Sequence, residues 1–244
     1  MIDVAGMQES GIISLLVIAL LAGLAMPAGA MLGFVPAIFP RWLQEELRHG
    51  ILALGAGALL SAVALVLVPE GIRNLEIFAA CYWFLAGAVA FMLLDVWLAR
   101  NKTPASQLAA MLSDFVPESI ALGSAAALGG GTLLLGILIA VQNIPEGFNA
   151  YRELKARGRK NRRKLVWAFC VMALLGPLCS LLGFYWLSHY PEVVSAIMLF
   201  AAGGILYTVL QDIAPQVHMK NHWLPSMGGV LGFMVGILGA MLEG

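Results

Sequence analysis

Gln142-Asn143-Ile144-Pro145-Glu146-Gly147 and, twenty-eight residues earlier, Asp114-Phe115-Val116-Pro117-Glu118-Ser119 decide how this chain is read. Each stretch sets a polar residue and a glutamate at i and i+4, on one helical face, with a proline one residue before the glutamate. Both stretches lie inside long apolar runs. An acid at the centre of a membrane helix costs about 2.5–3.5 kcal/mol on insertion scales. Asp114, Glu118 and Glu146 together therefore call for water or a cation; the alternatives are interhelical hydrogen bonding as packing glue, or protonation. A helix-interior proline has no N–H to give the carbonyl four residues back, here those of Ser113 and Val141. Two such helices side by side would turn carboxylates, an amide and carbonyl oxygens toward a shared point. That is an oxygen-rich cage suited to a hard or borderline dication.

The whole chain agrees with lipid as the solvent. Of its 244 residues 61% are hydrophobic and 11% charged, against roughly half and a quarter in soluble domains. The net charge of zero suggests no nucleic-acid partner. Cys81, Cys170 and Cys179 all lie in apolar runs and form no CxxC pair, so buried small hydrophobes are expected rather than disulfides or thiolate ligands. The N-terminus has no basic segment and its first apolar run is too long for a cleaved signal peptide, so a retained helix is expected. With about 20 apolar residues needed per crossing, eight runs fit, at 11–36, 48–69, 77–98, 106–127, 131–152, 165–187, 193–214 and 224–242. Gly129, Gly130 and Gly131 make the fourth and fifth a tight hairpin. The fold class is all-α, a polytopic membrane protein forming a single transport domain over 1–244.

Basic residues set the orientation. Arg152, Lys155, Arg157, Arg159, Lys160, Arg162, Arg163 and Lys164 crowd the connection between runs five and six. Arg41, Arg48, Arg100, Lys102 and Lys220 belong to the same side, which thus holds thirteen of the 14 Lys and Arg residues, leaving only Arg73 opposite. That side is expected to be cytoplasmic in the inner (plasma) membrane, with both termini outside. An internal repeat is also visible. Pro27…Leu32-Gly33-Phe34 in run one matches Pro177…Leu182-Gly183-Phe184 in run six. Ala56-Gly57 with Pro69 twelve residues after the glycine matches Ala202-Gly203 with Pro215. Leu85-Ala86-Gly87 matches Val230-Leu231-Gly232, and the offset stays between 145 and 150. Runs one and six enter from opposite sides, so the three-helix units are inverted, as in secondary transporters with a midplane site.

On these motifs the chain resembles the ZIP (Zrt/Irt-like protein) family, especially its compact bacterial branch. Asp-Phe-Val-Pro-Glu-Ser at 114–119 and Gln-Asn-Ile-Pro-Glu-Gly at 142–147 match, in order and placement, the His-Asn-x-Pro-Glu-Gly-like motifs of that family's fourth and fifth helices. Leu67-Val68-Pro69-Glu70, and Phe200-Ala-Ala-Gly203 to Pro215, are similar as well. The resemblance implies eight helices in a 3+2+3 arrangement, with helices 1–3 at 11–98, a metal-site hairpin at 106–152 and helices 6–8 at 165–242. It implies a metal site of Asp114, Glu118, Gln142 and Glu146 with Asn143 as a side ligand. Asp114 stands where many members have His, Phe115 replaces Asn, Gln142 holds the second His position, and Gly176 stands where a sixth-helix Glu is frequent. One tightly held ion is accordingly expected.

The expected activity is import of Zn²⁺ or a related dication, with Mn²⁺, Fe²⁺ or Cd²⁺ accepted because the cage has no His or Cys. The metal is cargo, no cofactor is expected, and the partners are the metal ion and the lipid bilayer. A homodimer is left open. A degenerate, metal-binding or regulatory member is the alternative. An intramembrane enzyme fits less well, since HExxH, GxSxG, nucleotide-loop and Gly-x-Gly-Asp motifs are all missing. Asp95, Gln211 and Asp212, near the expected cytoplasmic ends, read either as an exit relay or as wetted interface residues. His218 and His222, at i and i+4 in the loop after run seven, read as a solvated loop before metal capture, and His49 and His189 receive no role. Trp42, Trp97, Trp186 and Tyr190 read as an interfacial belt.

Overall fold

Residues 4–33, 41–101, 105–128, 132–156, 161–217 and 223–243 are described by a computed structural model. Among them there is no strand. Helix α1 is Val4–Leu32, α3 is Ile77–Asn101, α4 is Ala105–Ala127, α5 is Thr132–Ala156 and α8 is Leu224–Glu243. Helix α2 starts as Arg41–Ala62 and continues through a π-helical turn, Val63–Leu67, into Val68–Gly71. Helix α7 does the same, as Pro191–Thr208, π-helical Val209–Ile213 and Ala214–Val217. Helix α6 comes in two pieces, Arg162–Ala173 and Leu175–Tyr185. Gly129 to Gly131, Arg157, Arg159, Lys160, His218 and His222 lie outside the described residues, so the glycine hairpin, the middle of the basic connection and the histidine pair do too.

Seven of the described helices are long and apolar enough to cross a membrane; α4 is not among them. Of the eight spans expected, length and composition support seven among the described residues. Helix α4 has the length, at 23 residues, but carries Asp114, Pro117, Glu118 and four serines, which dilute its hydropathy. The exterior is that of a multi-pass membrane protein. Ile77, Phe78, Leu85, Leu93 and Trp97 of α3 all face outward, a continuous apolar surface that water would not support. Only 11% of the α3 window and 22% of the α8 window are buried, against 61% for α2 and α7. Helices α2 and α7 are thus central, and α3 and α8 clothe them. The core runs between α1, α2, α4, α5 and α7 through Leu15, Met26, Leu59, Leu67, Phe115, Leu138 and Ile205.

Prolines explain the irregularities. Pro177 cannot donate to the carbonyl of Ala173, and α6 breaks at Leu174, immediately after it. Pro69 and Pro215 follow the two π-helical turns by two residues. Each proline ring would crowd the carbonyl four residues back, and widening the turn relieves that clash. The widened bonds run from Val68 N–H to the Val63 carbonyl and from Ala214 N–H to the Val209 carbonyl. Small residues permit backbone-to-backbone packing, as in other membrane bundles. A Cβ on Gly57 would strike the backbone of Gly229 in α8, and one on Gly203 would strike Phe84 in α3.

Candidate metal centre

Glu118 of α4 and Gln142 of α5 meet directly, Gln142 Nε2 donating to Glu118 Oε2. Both side chains are fully buried. One turn before Glu118, Asp114 is buried as well, and one turn after Gln142, Glu146 is half-buried. The three carboxylates are close enough for Asp114 to act electrostatically on Glu118, and for both to act on Glu146. The two Pro-Glu steps noted in the sequence are therefore neighbours in space.

What holds these helices is a pair of close approaches. On α1, Gly29 lies against the Ile144 carbonyl of α5, and Gly147 of α5 lies against the Met26 carbonyl of α1. Asn143 Nδ2 adds a 2.8 Å bond to the Ala22 carbonyl. On the other flank, Gly123 of α4 meets the Ser180 carbonyl of α6, and Gly183 of α6 meets the Ile120 carbonyl of α4. Ser180 Oγ donates to the Ser119 carbonyl at 2.9 Å and Ser124 Oγ to the Gly183 carbonyl at 3.3 Å. Asn143 thus belongs to the α1–α5 seam through its amide nitrogen. Behind α5, the Pro145 ring packs against Gly55 of α2.

Four buried side-chain oxygens here have no hydrogen-bond donor: Asp114 Oδ1, Glu118 Oε1, Gln142 Oε1 and Asn149 Oδ1. Buried acceptors without a donor cost about 1–3 kcal/mol each, and a cation is the partner that satisfies several at once. Among the described residues, no three His, Cys, Asp or Glu side chains form a ready-made metal ligand set. Phe115 and Gly176 explain each other. A Cβ at position 176 would lie 2.9 Å from Phe115 Cζ and 2.8 Å from the Ala19 carbonyl. The buried Phe115 ring leaves no room for a side chain there, so the sixth helix offers no carboxylate at that point.

Of Asp95, Gln211 and Asp212, only Asp212 is within electrostatic reach of the cage. Gln211 and Asp212 are exposed, on the π-helical turn of α7. Asp212 acts electrostatically on Asp114, and Asp95 on Asp212. Tyr207, which the sequence reading missed, donates from its hydroxyl to Asp95 Oδ2 at 3.2 Å. Its place one turn and a residue before Asp212 was the available signal. Asn149 was missed too, although it continues the Gln142–Glu146 face by one turn.

No family model matches the chain. An Arabidopsis thaliana protein named "Putative zinc transporter" is 25% identical over 217 residues, covering 79% of this chain and 33% of the plant protein. The chain spans about a third of that relative's length. The likeness agrees with a multi-pass helical protein of transporter type.

Proposed function

We propose that this chain is a ZIP-type importer of divalent metal cations, passing them through a site between α4 and α5. The observation that carries this reading is the set of oxygens Asp114 Oδ1, Glu118 Oε1 and Gln142 Oε1, buried without donors where two proline-bearing helices meet. Asp114, Glu118, Gln142 and Glu146 are the ligands, with Asn143 beside them held to α1. Zinc is the first cargo to test, in keeping with the name of the plant relative. Manganese, iron and cadmium follow from a donor set of oxygens alone.

The same reading takes α4 as an eighth crossing, its acids facing inward rather than into lipid. It takes 1–244 as one domain in a 3+2+3 inverted repeat. Supporting this, the reciprocal glycine contacts pair α1 with α5 as they pair α6 with α4. They pair α2 with α8 as they pair α7 with α3, through Gly57 and Gly232 on one side and Gly203 and Gly87 on the other. The π-helical turns add to it, since Val63–Leu67 and Val209–Ile213 are 146 residues apart, the same offset as Gly57 and Gly203. Insertion in a plasma membrane with both termini outside completes the proposal.

Uptake by reconstituted protein tests it. Glu118→Ala and Glu146→Ala each abolish Zn²⁺ uptake into proteoliposomes while the protein keeps its thermal midpoint, because an apolar side chain cannot neutralise the cation. Transport at the parental rate by both variants would show that the α4–α5 cage is not the path.

A further inference from the structure

Gln142, Glu146 and Asn149 occur at i, i+4 and i+7 of α5, so they share one side of the helix. Asn149 lies about 4.5 Å farther along the axis than Glu146. It is half-buried, yet its Oδ1 is sealed from solvent and has no donor. The next residue, Ala150, is completely buried with no polar side-chain atom at all. An amide oxygen kept without a donor, beside a position where alanine suffices, calls for a visiting partner.

The surroundings say which end of the bundle this is. Helix α8 runs parallel to α2, Gly228 lying on Gly50 and Gly236 on Ser61, while Gly239 near its end lies on Leu134 at the start of α5. Helices α2 and α5 are therefore antiparallel. Arg48, seven residues before Gly55 on α2, sits toward the same end as Asn149, and on the face that meets Pro145. Its Nε is buried and has no acceptor. Arg152 and Lys155 are exposed farther along α5, on the side that the basic residues predict to be cytoplasmic.

We infer that Asn149 is a transfer position for the ion, one helical turn beyond the Glu118–Glu146 cage on the way to the cytoplasm. The inference rests on the reading of that cage as a dication site. A neutral amide oxygen replaces part of the ion's hydration without adding a charge that would hold it. The Arg48 guanidinium, toward the same end, disfavours long residence. Asn149 would thus speed departure from the cage and contribute little to equilibrium occupancy.

Zn²⁺ uptake into proteoliposomes and equilibrium Zn²⁺ binding to the purified protein, measured together, test this. Asn149→Ala lowers the maximal uptake rate about tenfold, the effect of one lost polar contact in the rate-limiting passage, with Zn²⁺ binding and thermal midpoint unchanged. Asn149→Ser, which keeps a neutral oxygen at this position, transports faster than Asn149→Ala. The inference is overturned if Asn149→Ala transports at the parental rate, if it loses binding as Glu118→Ala does, or if Asn149→Ser is as slow as Asn149→Ala. Parental transport by Glu118→Ala and Glu146→Ala would instead remove the cage, and this position with it.

Discussion

In the proposed metal site, Asp114 is the side chain through which a preference among metals can be tested. It offers a hard oxygen in a group whose other members, Glu118, Gln142 and Glu146, also offer only oxygen. Zinc favours imidazole and thiolate, whereas manganese accepts carboxylate, amide and water. The parent is accordingly expected to take up Zn²⁺ alongside Mn²⁺, Fe²⁺ or Cd²⁺. Asp114→His adds a borderline nitrogen ligand and shifts the preference toward zinc, by about tenfold in a competition uptake assay if the exchange is worth about 1.4 kcal/mol. A parent already strict for zinc, unmoved by the substitution, would show that ligand softness does not govern its choice. Phe115 works by volume instead. Its ring closes the ground beside Gly176, so binding studies on the parent should find one tightly held ion per chain.

At the scale of the helix, glycine sets distance where proline sets shape. A side chain at Gly183 has nowhere to go, since its first carbon would strike the Ile120 carbonyl of α4. Gly183→Val is expected to push α4 from α6, costing about 1–3 kcal/mol and moving Glu118 relative to Gln142. A lowered thermal midpoint together with slowed uptake would register it. Gly11→Ala on α1, where the added carbon meets nothing within 4 Å, should change neither. The sequence already showed the helices, because twenty-residue apolar runs admit little else, and it showed the Pro-Glu steps as a pair. It did not show the π-helical turns of α2 and α7, since hydropathy is blind to one residue of extra helix. Nor did it show the break at Leu174 or the role of Asn143 in the α1–α5 seam, because both depend on where a backbone carbonyl lies in three dimensions. Asn149 went unnoticed for a different reason: it falls one turn outside the motif that drew attention.

Across the whole molecule, the charge asymmetry becomes a statement about which way the bundle sits. Cysteines introduced at Gly6 and Gly158 report it, in a background without Cys81, Cys170 and Cys179. An impermeant maleimide added to intact cells labels position 6, and labels position 158 only after permeabilisation. The reverse pattern would invert the bundle and turn the proposed importer around. The apolar exteriors of α3 and α8 predict, further, that the protein aggregates when detergent is withdrawn and stays monodisperse when lipid is supplied. The π-helical turn of α2 has a consequence of another kind. A wide turn absorbs one surplus residue, so everything beyond it stands about 100° from where a regular helix of the same length would carry it. Gly71 meets the Leu199 side chain and the Ser195 carbonyl of α7 only because of that turn. Removing the exposed Ala64 would close the wide turn to a regular helix and leave Gly71 facing α7, since the surplus residue is the one lost; a further residue inserted there would turn Gly71 away by about 100°. A chain lengthened by one alanine after Ala64 should unfold well below the midpoint of a chain shortened by Ala64, although each differs from the parent by a single residue: the two halves are keyed to each other by angle.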